Sequence, residues 1–326
     1  MQRFLAIFFF GRISSIFLCN NKQKQKGGTM CTAINDISKH HLFGRTLDLE
    51  YTLDEQVVIA PRRFVFDFLH EEKSYEHYAI IGAAHIEGGV PLYYDGMNEK
   101  GLCAAALRLP AITVYHENKP QKYNLASFEL IPWILCNFDS AEAAKKALLD
   151  VNITPESFSG MLSTTPLHWI VADSKQSFVI ESVEDGLKIY DNPCGVLTNA
   201  PDFPTQLTVL EEYGEPRLGD LSSSSRFVRA VNAKTYTITE EKETPSVSRF
   251  FHLMSTVNQP HGLFRADERQ LRTVYTSCMD TERLTYYFTT YDCRKIRAVR
   301  MKNAHIDLDQ LTHFPMARNE WVHFLN

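Results

Sequence analysis

The chain has 326 residues, of which 44% are hydrophobic and 22% are charged, and its formal net charge at pH 7 is −5. These values are typical of a globular protein with one large core or two modest ones. The five charged residues among the first 29 are all basic, so the remaining chain carries 29 basic and 39 acidic residues. That acidic excess argues against nucleic acid as a partner.

Residues 1–30 differ from the rest of the chain and are predicted to form a leader that is not part of the fold. Their two apolar runs are split by Arg12, so the stretch is too short and too interrupted to span a bilayer. A secretory signal peptide would need a small-residue cleavage site, which is missing before the lysine-rich run at 22–26. A Gly-Gly pair, which a purine-rich ribosome-binding sequence can encode, lies just before Met30. We therefore interpret the leader as an over-extended gene start or a removed segment, followed by a single domain at 31–326.

Cys31 directly follows Met30 and would become the N-terminal residue if that methionine were the initiator and were removed. The free α-amino group, with a reference pKa of about 7.7–8.0, could then take the proton of a thiol whose reference pKa is about 8.5. An N-terminal cysteine therefore needs no histidine to act as a nucleophile. The alternative is that Cys31 is a small buried hydrophobic side chain, which is the commoner role of cysteine.

The first half of the globular chain is predicted to be mostly strand. Apolar runs separated by turn-prone or charged residues predict strands at 32–36, 42–48, 56–60, 78–84 and 102–107. Two helices are predicted at 126–138 and 140–149, the second with Ser140 as its N-cap and Glu142 in its first turn.

The second half is predicted to mix strands and helices. Strands are predicted at 167–172, 177–183 and 187–190, with Asp185-Gly186 as a hairpin turn. A serine run at 222–225 precedes a predicted helix at 226–233, and a second helix is predicted at 247–256. Three further strands are predicted at 274–279, 284–291 and 296–300. Strands grouped apart from helices favour an α+β fold with two sheets face to face and helices outside.

The cysteines and histidines do not form a recognisable metal site. Seven cysteines are widely spaced, with no Cys-x-x-Cys pair, and lie at positions 19, 31, 103, 136, 194, 278 and 293. This pattern is typical of reduced thiols in a cytoplasmic protein rather than a disulfide scaffold or a zinc site. His40 and His41 lie in a predicted hairpin turn, and the remaining histidines lack ligand spacing, so neither a metal nor another cofactor is expected.

Seven blocks of the sequence carry a resemblance to a known family. They lie in order at residues 30–32, 41–50, 95–102, 167–169, 195–201, 225–227 and 275–279. Together they resemble the choloylglycine hydrolase family, which contains the bile salt hydrolases and the penicillin V acylases. The resemblance covers nearly everything from Met30 to about residue 300, and it implies the four-layer αββα fold of N-terminal nucleophile hydrolases.

The resemblance implies roles for three residues near the start of the domain. Cys31 would be the nucleophile, Asp48 would hold its free α-amino group, and Arg45 would lie beside the thiol and favour the thiolate. A cation near the amine also lowers its pKa and keeps it able to act as a base. From the residues alone, Arg45 and Asp48 would be interpreted as a structural ion pair.

The resemblance also supplies an oxyanion site. It implies that the side-chain amide of Asn199 and the backbone N–H of Arg108 donate to the tetrahedral intermediate, and that Arg226 lies near Cys31. From the residues alone, Asn199 is a turn asparagine, and Arg226 is a cation at a helix start that needs a partner.

Two departures from the family pattern affect substrate and assembly. Arg108 replaces the asparagine of bile salt hydrolases and the tyrosine common in penicillin V acylases. Its side chain would place a cation at the substrate mouth, where it could pair with a glycine carboxylate or a taurine sulfonate; a solvated or structural arginine is the alternative. Only 26 residues separate Asn199 from Arg226. Tetrameric family members have a longer loop there, so a homodimer or a weaker homotetramer is expected.

The expected activity is hydrolysis of the amide bond of glycine- and taurine-conjugated bile acids through an acyl-enzyme on Cys31. An apolar cleft must then hold a small-molecule substrate, and its predicted lining is Leu47, Leu49, Tyr51, Tyr93 and Tyr94, although such residues are more often plain core. A penicillin V acylase would share the mechanism. A papain-type enzyme would pair an internal cysteine with a distant histidine such as His168. A non-catalytic binding protein is the further alternative if the leader is retained.

Overall fold

The computed structural model describes residues 30–38, 40–160, 162–213, 219–238, 247–263, 265–266, 269–316 and 318–326. Of the predicted leader, only Met30 is among them, and it is the first residue of a buried strand. The absence of the leader from the fold therefore stays a prediction, and Cys19 lies outside the described residues.

The described residues form eighteen strands and five α-helices. In chain order the strands are β1 (Met30–Asp36), β2 (Leu42–Leu49), β3 (Gln56–Ala60), β4 (Ile80–Glu87), β5 (Val90–Asn98), β6 (Cys103–Arg108), β7 (Tyr123–Ala126), β8 (Val151–Thr154), β9 (Leu167–Ala172), β10 (Ser177–Val183), β11 (Gly186–Asp191), β12 (Val196–Leu197), β13 (Arg265–Ala266), β14 (Arg269–Gln270), β15 (Arg272–Asp280), β16 (Thr285–Thr290), β17 (Arg297–Arg300) and β18 (Thr312–Pro315). The helices are α1 (Leu130–Asn137), α2 (Ala141–Ala147), α3 (Phe203–Tyr213), α4 (Ser223–Tyr236) and α5 (Val247–Ser255), with short 3₁₀ helices at Leu148–Asp150 and Met301–Asn303.

Two large antiparallel sheets form the centre of the molecule. One has six strands in the order β12-β1-β2-β15-β16-β17, and the other has eight in the order β11-β10-β9-β6-β5-β4-β3-β18. One continuous apolar cluster joins side chains of both sheets with side chains of α3, α4 and α5. A second cluster packs α1 and α2 on the other face of the eight-stranded sheet. The layers therefore run helix, sheet, sheet, helix, which confirms the predicted four-layer αββα sandwich.

The six-stranded sheet is packed tightly where it carries the first two strands. All seven residues of β1 and seven of the eight in β2 are buried. Gly44 in β2 leaves room for β15, because a Cβ atom there would lie 2.1 Å from the carbonyl oxygen of Ser277. The backbone N–H of the next residue, Arg45, donates to the Ser277 hydroxyl at 3.1 Å. This close approach of β2 and β15 fixes the main chain from which the Arg45 side chain extends.

Local signals located several elements correctly. The N-cap of α2 is Ser140, whose hydroxyl accepts from the N–H of Ala143, and the N-cap of α4 is Ser222, which accepts from the N–H of Ser225. The hairpin turn between β10 and β11 is shifted by one residue from its prediction. Its loop residues are Glu184 and Asp185, and Gly186 opens β11 with a φ of +103°.

Several elements differ from the sequence predictions, which also lack β8, β12, β13, β14 and β18. Helix α1 begins at Leu130 instead of 126, because Tyr123–Ala126 forms β7 and pairs in parallel with β8. Strand β5 was not predicted, and it carries a buried carboxylate, that of Asp95, whose two oxygens accept from the hydroxyls of Tyr275 and Tyr286. Helix α3 was not predicted either, and its first N–H group, that of Phe203, donates to a residue of β10. Contacts between distant parts of the chain thus stabilise β5 and β7, whereas α3 also has a local cap in Asp202, which accepts from the N–H of Thr205.

Candidate active site

Cys31 lies on β1 and borders a cleft lined by residues of both large sheets. The residue is 2% exposed, and it is opposite Leu47 in the register of β1 and β2. Burial raises the pKa of its thiol, whereas the positive charges of Arg45 and Arg226 act to lower it. Two cations therefore favour the thiolate in a site that otherwise disfavours charge.

Arg45 is a fixed buried cation beside this thiol. Its Nη1 donates to the carbonyl oxygens of Tyr94, at 3.0 Å, and Ala106, at 2.5 Å, and its Nε donates to that of Thr46 at 3.2 Å. Its Nη2 has no hydrogen-bond partner among the described residues, although the atom is buried. The guanidinium is therefore held by carbonyls of three strands, β2, β5 and β6, and keeps unused donor capacity at Nη2.

Asp48 is fully buried on β2, opposite Met30 in the register with β1. Its carboxylate accepts from the hydroxyls of Thr273, at 2.7 Å, and Thr46, at 3.5 Å. Burial raises its pKa to about 6, against the opposing effect of Arg226. Across the described part of the chain no ion pair joins Arg45 to Asp48, so the alternative of a structural pair has no support here.

The backbone nitrogen of Cys31 has a different partner from the one that the resemblance implies. In the chain that carries Met30, this nitrogen is a peptide N–H, and it donates to Oδ1 of Asn199 at 2.5 Å. The Asp48 carboxylate instead lies opposite Met30. Asn199 also accepts from Nη2 of Arg226 at 3.1 Å.

Arg226 ties these groups together from the first turn of α4. Its side chain is completely buried, and its Nη1 donates to the carbonyl oxygen of Cys31 at 2.6 Å and to the hydroxyl of Thr32 at 2.7 Å. Its Nε donates to the carbonyl of Leu221 at 3.3 Å. A cation at a helix start is thus offset by acceptors on three separate segments.

Asn199, which contacts Arg226 through its Oδ1, also contacts Arg108. The side-chain Nδ2 of Asn199 donates to the carbonyl oxygen of Arg108 at 2.8 Å. The N–H of Leu109 bonds to Pro166, so Arg108 and Leu167 form the adjacent, non-hydrogen-bonded pair of β6 and β9. The N–H of Arg108 therefore points away from β9, on the same edge as its carbonyl.

A largely apolar cleft with a cavity volume of about 300 Å³ adjoins Cys31. All five predicted lining residues, Leu47, Leu49, Tyr51, Tyr93 and Tyr94, border it. Sequence reasoning missed the lining from later segments, which comprises Ser127, Phe128, Ile131, Phe158, Leu162, Ser163, Thr164, Thr165, Leu167 and Trp169. Charged or ionisable side chains also border the cleft, and they include Arg45, Glu50, His85 and Arg108. A cleft of this kind suits a large apolar acyl group that ends in a polar head.

His168, the histidine of the papain-type alternative, is engaged elsewhere. Its ring is fully buried, with Nδ1 3.1 Å from Oε1 of Glu181 and Nε2 2.7 Å from the carbonyl oxygen of Thr198. Neither His168 nor Glu181 borders the cleft. Both ring nitrogens are thus occupied, which argues against His168 as the base for a cysteine.

No group of three or more His, Cys, Asp or Glu side chains among them is arranged to hold a metal ion. Of the described helices, none has the length and apolar character needed to cross a membrane.

Face-to-face antiparallel sheets enclosed by helices, with a buried cysteine on the first strand beside a cleft, define the architecture of the N-terminal nucleophile hydrolases. The model of the linear amide C–N hydrolases, choloylglycine hydrolase family, matches residues 31–218 and 214–314. The chain belongs to this family.

Relatives and solved structures agree with that assignment. The chain is 40% identical over 324 residues to the bile salt hydrolase/transferase of Lactiplantibacillus plantarum, a match that covers 91% of this chain and all of that protein. A mutant of the conjugated bile acid hydrolase of Clostridium perfringens has a similar structure, with a TM-score of 0.84 at 29% identity, over 92% of this chain and all of that one. Penicillin V acylase of Agrobacterium tumefaciens shares the fold, with a TM-score of 0.73 at 20% identity, over 87% of this chain and 90% of that one.

Proposed function

We propose that this protein is a bile salt hydrolase that cleaves the amide bond joining a bile acid to glycine or taurine. The observation that carries the proposal is the apolar cleft of about 300 Å³ that Cys31 borders and that has Arg108 on its wall. The apolar lining suits a steroid, and the cation suits the carboxylate or sulfonate of the amino acid. Similarity to bile salt hydrolases over nearly the whole domain supports the same substrate class.

In the active form, Cys31 is the N-terminal residue and residues 1–30 are absent. The nitrogen of Cys31 is then an amine, and it lies at the junction of Asn199 and Arg226. Removal of Met30 also takes away the residue opposite Asp48 in the strand register. The Asp48 carboxylate is then free to approach the new α-amino group, as a charge-assisted hydrogen bond requires.

Hydrolysis proceeds in two steps. The α-amine of Cys31 takes the thiol proton, the sulfur attacks the amide carbonyl carbon, and the oxyanion accepts from Nδ2 of Asn199 and the N–H of Arg108. The C–N bond breaks as the α-ammonium returns its proton to the leaving glycine or taurine, which leaves a thioester. Water, deprotonated by the same amine, attacks the thioester and releases the bile acid and the free thiol.

The remaining roles follow from position. Arg45 and Arg226 stabilise the thiolate electrostatically, and Arg226 also fixes the main chain of Cys31 through its carbonyl. No step requires a metal or a cofactor. The Arg108 side chain binds the charged end of the substrate, and Leu47, Leu49, Tyr51, Tyr93 and Tyr94 contact the steroid.

We further propose a cytoplasmic homodimer or weak homotetramer whose partner is its small-molecule substrate, with no nucleic acid or membrane partner. The short connection between Asn199 and Arg226, much of which is α3, supports the smaller assembly. Light scattering on protein that begins at Cys31 tests this, and a stable tetramer at low concentration would contradict it.

The proposed substrate is tested on protein that begins at Cys31. We expect faster release of glycine or taurine from conjugated bile salts than of phenoxyacetate from penicillin V. Faster cleavage of penicillin V would make the protein a penicillin V acylase. Ligand binding without turnover of either substrate would make it a non-catalytic binding protein.

A further inference from the structure

A buried pair of ionisable residues, His168 and Glu181, lies outside the cleft. The two residues face each other in the register of β9 and β10, and both are completely buried. The Nδ1 of His168 lies 3.1 Å from Oε1 of Glu181. Nothing in the proposed reaction uses either side chain.

Each member of the pair holds one end of the segment that carries Asn199. The Nε2 of His168 lies 2.7 Å from the carbonyl oxygen of Thr198, and since a carbonyl can only accept, Nε2 carries the hydrogen. Oε1 of Glu181 accepts from the N–H of Phe203, the first residue of α3, at 2.9 Å. The two contacts thus anchor the chain immediately before Asn199 and four residues after it.

The pair is costly as a stabilising device. Oε2 of Glu181 is buried and has no hydrogen-bond partner among the described residues. A half-satisfied buried carboxylate disfavours folding, and apolar residues of similar volume commonly serve stability as well or better. The hydrogen bonds of the pair instead converge on the segment 198–203, which points to a role in positioning that segment.

Gln206 acts on the same segment from the other side. Its Nε2 donates to the carbonyl oxygens of Asn199, at 2.7 Å, and Pro201, at 2.8 Å. Its Oε1 accepts from the hydroxyl of Thr198 at 3.1 Å. Between Gln206 and the buried pair, the main chain on each side of Asn199 is fixed, and the direction of the Asn199 amide follows from it.

We propose that the buried His168–Glu181 pair is a positioning element that holds the segment 198–203 so that the amide of Asn199 meets the reacting carbonyl. The proposal rests on the proposed function of Asn199 as an oxyanion donor. Misplacing such a group by about 1 Å costs on the order of 100-fold in rate. The pair would therefore act on kcat, because the oxyanion exists only in the transition state.

The test is a double-mutant cycle between Glu181→Ala and Asn199→Ala, on the amide that the wild type hydrolyses fastest. Titration of Cys31 with a thiol reagent corrects each rate for the fraction of folded sites. We expect Glu181→Ala to lower kcat by about 10- to 100-fold with little change in KM, and to lower it less than about 2-fold when Asn199 is already alanine. Equal losses in both backgrounds would overturn the proposal, because the pair would then act independently of Asn199.

Two further variants keep the test decisive if Glu181→Ala folds poorly. Glu181→Gln can place its amide oxygen where Oε1 of Glu181 lies, which keeps the acceptor for the N–H of Phe203, so we expect kcat within about 3-fold of the wild type. Asp280→Ala is the matched control, since Asp280 is a fully buried carboxylate that accepts from the N–H of Arg283 at the far end of β15. It should lower stability and leave kcat per titrated site unchanged. A large kcat loss in Glu181→Gln with normal stability would contradict positioning by hydrogen bonds.

The cycle also separates this proposal from the proposed function. If Asn199→Ala leaves kcat unchanged, the oxyanion role of Asn199 fails, and the positioning role fails with it. If Asn199→Ala is strongly impaired while Glu181→Ala behaves additively, the function stands and only the positioning role is overturned.

Discussion

Nη1 of Arg226 lies 2.6 Å from the carbonyl oxygen of Cys31, and Nη2 of the same guanidinium lies 3.1 Å from Oδ1 of Asn199. One buried cation on α4 thus joins the main chain of Cys31 to the side chain of Asn199, the proposed nucleophile and the proposed oxyanion donor. Because the fork of an arginine is planar and rigid, its contacts also fix the relative orientation of β1 and the 198–203 segment.

Removing this cation should damage both stability and catalysis. We expect Arg226→Ala to lower the free energy of unfolding by about 3–5 kcal/mol, because it leaves several buried acceptors without a donor. Arg226→Lys should keep the charge but lose the simultaneous contacts with the Cys31 carbonyl and the Asn199 side chain. Its kcat should therefore fall by at least about 10-fold. Arg229→Ala is the control, since Arg229 lies one turn along the same helix, is partly exposed and donates to the main chain of Asp220. Wild-type stability in Arg226→Ala would contradict this account.

The ionisation of Asp48 should make stability depend on pH. Burial raises its pKa from 3.8 to about 6, so the native state holds a proton that the unfolded state has released between these values. The contribution of Asp48 to the free energy of unfolding is therefore fully present below about pH 4. About 2–3 kcal/mol of it is lost as pH rises through 6.

The appropriate measurement for Asp48 is a difference between variants of the chain that retains Met30. His41, whose pKa burial lowers to about 4, changes stability with pH in the opposite direction. Urea unfolding of the wild type and of Asp48→Asn should therefore be compared at pH 4.5 and pH 7, and the wild type should lose relative stability at the higher pH. In protein that begins at Cys31, the ammonium group should weaken or reverse this loss. The same loss in both forms would argue against contact between Asp48 and the amine.

The Arg108 side chain should affect the charged end of the substrate. We expect Arg108→Gln to raise KM for glycine and taurine conjugates by about 10-fold or more, because a hydrogen bond to a charged group contributes about 1.5–3 kcal/mol. A bile acid amide of ethanolamine, which lacks that charge, should be cleaved equally well by both forms. Equal effects on charged and neutral amides would instead assign Arg108 a structural role.

The cleft residues between positions 127 and 169 should govern affinity for the steroid. Phe158 borders the cleft and packs edge to face on Phe128, with ring centroids 5.2 Å apart. Phe158→Ala should lower kcat/KM for bile salts by about 10- to 100-fold, the effect of losing a buried aromatic contact of about 1.5–3 kcal/mol. Leu149→Ala, at a residue that is 68% exposed, is the control and should have no effect. An unchanged kcat/KM in Phe158→Ala would exclude this wall from substrate binding.

Sequence patterns predicted the parts of the fold that local chemistry decides. Strands β1, β2 and β3 follow from short apolar runs, and the serine caps of α2 and α4 act within three residues of themselves. The five predicted cleft residues come from two of the blocks that resemble the family or lie next to them. Their position in or beside these blocks is the reason that the sequence could predict them.

The remaining features depend on contacts between distant residues. Strand β5 buries Asp95 because the hydroxyls of Tyr275 and Tyr286, nearly 200 residues later, satisfy it. Helix α3 also has a local signal, since Asp202 caps it by accepting from the N–H of Thr205 at 3.0 Å, while Glu181 of β10 accepts the N–H of Phe203. Phe158 borders the cleft from the segment between β8 and β9, where it packs on Phe128. The distant partners of Asp95 leave no local pattern in the sequence.

The most direct test of the account is to trap the acyl-enzyme on protein that begins at Cys31. Rapid acid quench with a glycine-conjugated bile salt, followed by mass spectrometry of peptides, should show the bile acyl group as a thioester on N-terminal Cys31. Protein that retains residues 1–30 should show neither the adduct nor turnover. An adduct on another residue, or turnover with the leader attached, would contradict Cys31 as an N-terminal nucleophile.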